Sequence, residues 1–169
     1  MLLATIGCDN GPTDPAIVDV TVPGTFQLQL FQPTEAPFTG TARLASCGAN
    51  YTGFSLRSPS WPGEEIVMQP TLAAPVVIKP IPTGSHRFSA LGKGSQSWDL
   101  SHARNGSSGL PIEFGLPIAG SVEITESTTS TLRGRIDVTI TFYRDSVTPP
   151  KTQRLRGSFW AVPDPLCGA

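Results

Sequence analysis

Few residues in this chain have the chemistry for a reaction. There are three cysteines, two histidines and three tryptophans in 169 residues. The thiols are Cys8, Cys47 and Cys167. A thiol can accept a lipid, close a disulfide, hold a metal or attack a substrate, and its setting decides which. His86 and His102 could each join a serine and an aspartate in space, because triads assemble from distant positions. The sequence marks no such set. It has no Gly-x-Ser-x-Gly elbow, and "LGKGSQS" lacks the length and the Lys-Ser ending of a phosphate loop. Glu64 and Glu65 adjoin "SPSWPG" in a stretch that reads as a loop. As neighbours on an extended chain they face apart, which suits no acid–base pair. Cys47 and Cys167 with two histidines make a poor zinc set. The expectation is a protein that is not an enzyme, with no catalytic residue, no metal and no cofactor. An enzyme reading survives only as a hydrolase whose site does not show in the sequence.

The tryptophans are the remaining binding candidates. Trp61 lies in "SPSWPGEE", Trp98 in "GSQSWDLSHARNG", and Trp160 on a strand with Arg154 and Arg156. An exposed indole can stack on a sugar or anchor a protein. Most tryptophans in a domain this size are largely buried instead.

The opening "MLLATIGCDNGPTDP" addresses location. Leu2, Leu3, Ala4 and Ile6 form an apolar run that ends at the small Gly7 and then Cys8. A secretory signal has a charged start, an apolar middle and small residues at the cut. No Lys or Arg occurs before Arg43, so either a true signal starts upstream of Met1 or the stretch is an ordinary tail. The run is too short to span a bilayer as a helix, which takes about 20 residues. Thr5 to Cys8, T-I-G-C, resembles the lipobox of bacterial lipoproteins, with Thr5 where that family usually has Leu. The resemblance implies a diacylglycerol on Cys8 and removal of the residues before it. "DNGPTDP" is polar, rich in Gly and Pro, and suited to a flexible tether.

The cysteine count then becomes even. With lipid on Cys8, Cys47 and Cys167 remain, and export would put them where disulfides persist. A bridge closing a loop of that length is worth on the order of 4–5 kcal/mol in the chain-entropy model. The competing readings are two free thiols or a metal pair.

Composition narrows the class. The formal net charge is −1 and charged residues make up 15%, which leaves no electrostatic footprint for nucleic acid. Apolar residues make up 38%, and Gly and Pro number 17 each. This is enough for one core, punctuated by many turns. Alternation at period two dominates. "AIVDVTV" puts Ile17 opposite Val18, with Asp19 and Thr21 breaking one face, and "TFQLQLF" sets Phe26, Leu28 and Leu30 against Gln27 and Gln29. "LRGRIDVTITFY" sets Ile136, Val138, Ile140 and Phe142 against Arg135, Asp137, Thr139 and Thr141. "QRLRGSFWAV" sets Leu155, Phe159 and Ala161 against Arg154, Arg156, Ser158 and Trp160. One wet face and one dry face per strand is the mark of antiparallel sheets. The expected fold is all-β: an antiparallel sandwich of eight to ten strands, with a barrel as the alternative. The strand at 136–142 should be flanked by Val122–Ile124 and Leu155–Ala161. The Gly of each "LRG", Gly134 and Gly157, marks a bulge or a close approach of backbones.

"GTARLASCG", "YTGFSLRS", "VVIKPIPTGSHRFSALG" and "GSVEIT…LRGRIDVTITF…RLRGSFWAV" after an anchor cysteine resemble uncharacterised bacterial envelope lipoproteins. "IPTGSHRFSA" is similar to the turn and strand of immunoglobulin-like modules. The resemblance implies a lipid-anchored, exported protein of the bacterial cell envelope with a binding or structural role. It divides the chain into residues 1–7 as a signal remnant, 8–15 as tether and 16–169 as one domain. Its partners would be the membrane, through Cys8, and a glycan or protein. A surface carbohydrate-binding module is the alternative.

Overall fold

The computed structural model describes residues 16–30, 38–44, 53–58, 64–71, 81–88, 97–105, 111–143, 147 and 149–165. These residues hold nine strands: β1 (Thr25–Leu30), β2 (Phe38–Leu44), β3 (Phe54–Arg57), β4 (Glu64–Thr71), β5 (Gly84–Arg87), β6 (Ser97–Asn105), β7 (Pro111–Ser127), β8 (Leu132–Tyr143) and β9 (Lys151–Ala161). Every named pair of strands is antiparallel. Neighbours run β7-β6-β4-β3-β2-β1-β9-β8, and β8 pairs back onto β7. The pairings therefore close a ring of eight strands, and β5 adds to the far part of β7. The all-β, antiparallel expectation is realised in its barrel form.

β7 makes the closure possible. Its first residues pair with β6 at Gly115↔His102, and its later ones pair with β5 at Val122↔His86. A register shift at Pro117/Ala119 lies between the two, and a second, at Ile124/Glu126, follows the β5 pairing. A bulge inserts a residue and sharpens the local twist. At Gly120 φ is +116, and a Cβ would sit 2.2 Å from the Asp137 carbonyl oxygen, so only glycine suits that bend.

The interior is filled. Ile136, Val138 and Ile140 are fully buried and Phe142 nearly so, and β8 lies between β7 and β9 as its alternation requires. Phe26, Leu28, Phe54, Leu56, Val122, Ile124, Leu155 and Phe159 complete the same core. Phe54 of β3 stacks on Phe159 of β9 with ring centroids 4.1 Å apart and planes 17° apart. Those strands are not neighbours, so the contact crosses the lumen. An eight-stranded barrel is just wide enough for side chains to fill. The "LRG" glycines are close approaches. A Cβ on Gly157 would lie 2.0 Å from the Gln27 carbonyl oxygen, and one on Gly134 would meet the Phe159 ring at 2.9 Å.

Two segments differ from the sequence reading. Glu64 and Glu65 open β4, opposite Arg104 and Ala103, rather than lying in a loop. Residues 16–20 alternate like a strand but pair with none. Both edges of β1 are already taken, by β2 and by β9. The segment lies across the outside of the barrel instead.

Candidate functional site

The described side chains gather their chemistry on one outer wall, formed by β7, β8, β9 and β1. The alternation that buries Ile136 and Val138 turns Arg133, Arg135 and Asp137 outward. On β9 it does the same for Arg154, Arg156, Ser158 and Trp160. Register places Arg133 beside Trp160, Arg135 beside Ser158 and Asp137 beside Arg156. Charges of both signs interlock there. Arg154 donates two hydrogen bonds of 2.7 Å to the Asp137 carboxylate, and the Arg156 Nε lies 3.3 Å from its Oδ2. Arg133 lies 3.6 Å from Glu126 and 4.1 Å over the Trp160 ring. Half-exposed ion pairs such as these contribute little to stability one at a time. What they fix is the geometry of the wall.

Residues 16–20 form a strap on that wall. Ser158 is 1% exposed. Its Oγ accepts a hydrogen bond from the Val20 N–H and donates one to the Val18 carbonyl, each 2.9 Å. Arg135 forks onto the Asp19 carboxylate at 2.9 and 2.7 Å. The donated hydrogen bonds of Arg135 hold the Asp19 carboxyl below its ordinary pKa; slight desolvation opposes them and the charges of Arg135 and Arg133 add to them. Glu123, 3.8 Å from Arg135, completes the cluster. A cleft of about 70 Å³ remains between strap residues 16–18 and Gln27, Gln29 and Arg156. It admits water-sized occupants. A drug-sized ligand needs a pocket of roughly 300–1,000 Å³.

The residues singled out from sequence fare unevenly. Cys8, Cys47, Cys167 and Trp61 lie outside the described residues. Trp98 sits on β6 opposite Pro70. Trp160 is half-buried under Arg133, and its indole N–H has no hydrogen-bond partner among the described residues. His86 and His102 are not brought together. They meet β7 at Val122 and Gly115, some 20 Å apart along an extended strand. The Nε2 of His86 lies 2.7 Å from the Pro82 carbonyl oxygen. Among the described residues no group of three His, Cys, Asp or Glu is placed to hold a metal ion.

Sequence reasoning missed Ser158 and the Asp19–Arg135 fork. Asp19 stood out only as a break in an apolar face. Ser158 fell on the outward, wet side of its strand, and nothing in the sequence marks it as covered.

No protein-family model, no curated protein and no solved structure matches this chain.

Proposed function

We propose that this chain is an exported, lipid-anchored protein of the bacterial cell envelope, in which Cys8 carries the lipid and the barrel plays a binding or structural role. One observation carries the reading. The strap fastens the chain to the barrel wall at Val18, Asp19 and Val20, through Ser158 and Arg135, and Ala16 and Ile17 line the cleft beside it. Only "DNGPTDP" then separates Cys8 from a rigid domain. Chain that is polar, short and docked at its far end is what an anchor needs to present a domain at a fixed height. The charged outside and apolar inside of β8 and β9 fit a barrel that stands beside a membrane, since a barrel crossing one turns its apolar face outward.

The pairing of Cys47 with Cys167 belongs to the same proposal. The chain after β9 runs beside the end of β2: Arg43 and Val162 form a parallel bridge, and the Leu44 N–H donates to the Val162 carbonyl at 2.9 Å. Both segments leave that bridge in one direction, a few residues short of their cysteines. In an oxidising compartment a bridge there would tie the end of the chain to the barrel.

The filled lumen and the small cleft direct any binding role to the outer surface. Labelled palmitate supplied to expressing cells should enter the wild-type protein and be absent from Cys8→Ser. Equal labelling of both would overturn the anchor.

A further inference from the structure

Leu116, Ile118 and Tyr143 are 45%, 52% and 42% exposed on the outer wall of β7 and β8. Register makes them neighbours. Leu116 pairs with Thr141, two positions before Tyr143 on its strand, and the Pro117/Ala119 bulge turns Ile118 out beside them. Three large apolar side chains, one of them carrying a phenol hydroxyl, form a surface unlike the interlocked charges further along the same wall.

The strap points at this end. Near its C-terminal end the Val22 carbonyl accepts from Thr25 Oγ1, and Thr25 pairs with Trp160. Its middle sits on Ser158. Its first residues, Ala16 and Ile17, line the cleft with Gln29 and Arg156. Traced backwards, the chain thus travels along β9 from Trp160 towards Lys151, the end where Tyr143 closes β8. Seven residues, Asp9 to Pro15, precede it, and fully extended they reach about 25 Å. A lipid on Cys8 would hold this end of the barrel within that distance of the bilayer.

We infer that Leu116, Ile118 and Tyr143 form the membrane-facing contact of the barrel, resting on the interfacial region of a phospholipid bilayer. The inference rests on the lipid-anchor reading and gives that anchor an orientation. Apolar side chains enter the acyl boundary, and a tyrosine suits the level where one end is dry and the other wet.

The test uses the full chain carrying Cys8→Ser, so that no lipid contributes. It is floated with vesicles of phosphatidylethanolamine and phosphatidylglycerol. Adding Leu116→Ser, Ile118→Ser and Tyr143→Ser together should lower the partition coefficient by about tenfold or more. Val22→Ser, which removes an exposed apolar side chain at the other end of the strap (58% exposed), should leave it unchanged. Thermal melts check that each variant is folded; because the three positions are exposed, a single Tyr143→Ser with a smaller loss serves if the triple variant is not. An unchanged partition coefficient in the triple variant, or an equal drop with Val22→Ser, overturns the inference. So does a change from dimer to monomer in sedimentation with unchanged flotation, which would make the surface a contact between copies. Palmitate labelling reads the anchor separately: patch-dependent flotation without labelling would leave the surface standing and remove the anchor.

Discussion

Truncating Ile140 tests the register of the barrel where it is most constrained. Ile140 is fully buried, with Pro117 of β7 on one side and Gln153 of β9 on the other. Ile140→Ala removes three carbons. At about 0.8 kcal/mol per buried methylene the transfer loss is near 2.5 kcal/mol. A core this filled cannot collapse fully, and the residual cavity adds about 1–2 kcal/mol at roughly 24 cal/mol per Å³. The expected cost is about 4 kcal/mol. Thr139 is the control. It is adjacent in sequence, turned to the outside and half-exposed, opposite Ala119 and Arg154. Thr139→Ala should cost under about 1 kcal/mol, the span of strand propensity. Urea unfolding monitored by tryptophan fluorescence measures both, with the slope held constant between variants. Because side chains alternate with a period of two, a strand slipped by one residue would exchange the two results. Equal costs, or a greater cost at Thr139, would refute the register.

Gly157→Ala should destabilise by about 1–3 kcal/mol, because its Cβ would lie 2.0 Å from the Gln27 carbonyl oxygen and force β1 from β9; a neutral effect in thermal melts would show that the two strands are not so close. Ser158→Ala should raise hydrogen exchange at the Val20 amide, which loses its acceptor, while leaving core amides protected. Asp19, with its carboxyl held below the ordinary value by Arg135, stabilises the docked strap above the unfolded carboxylate pKa of about 4. That contribution is lost as pH falls through the lower, docked value. Exchange at Val20, corrected for its intrinsic pH dependence, should therefore rise on acidification below about pH 4, and Asp19→Asn should remove that dependence. Peptide mapping without reductant should recover Cys47 and Cys167 in one linked fragment; recovery of both as free thiols from exported protein would break the proposed bridge.

The parts of the fold legible in sequence are those that local periodicity dictates. Ile136 to Phe142 alternate without interruption, so their buried face and their flanking strands could be read directly. The glycines at 134 and 157 sit where a strand pattern should hold a side chain, which announces a close approach. Ring closure is different. It depends on how β7 is shared: β6 pairs with it as far as Gly115 and β5 from Ser121, with the Pro117/Ala119 bulge between them. No window of a few residues contains that division. The strap carries a strand pattern without being a strand for the same reason. Ile17 to Val22 have the pattern, yet the positions beside β1 are occupied. Ser158 became a docking point only because a segment some 140 positions away in sequence lies over it. Of the candidate site residues, Trp160 could be placed on its outward face from sequence, while the Arg133 guanidinium over its ring follows from cross-strand register.

The anchor is the claim from which the proposed function descends. Intact-mass analysis of the protein extracted from bacterial membranes tests it most directly. The account predicts a chain whose first residue is Cys8, heavier than its sequence by a diacylglycerol and lighter by everything before it. A chain that retains residues ahead of Cys8, with a free thiol at that position and no added lipid, would contradict it.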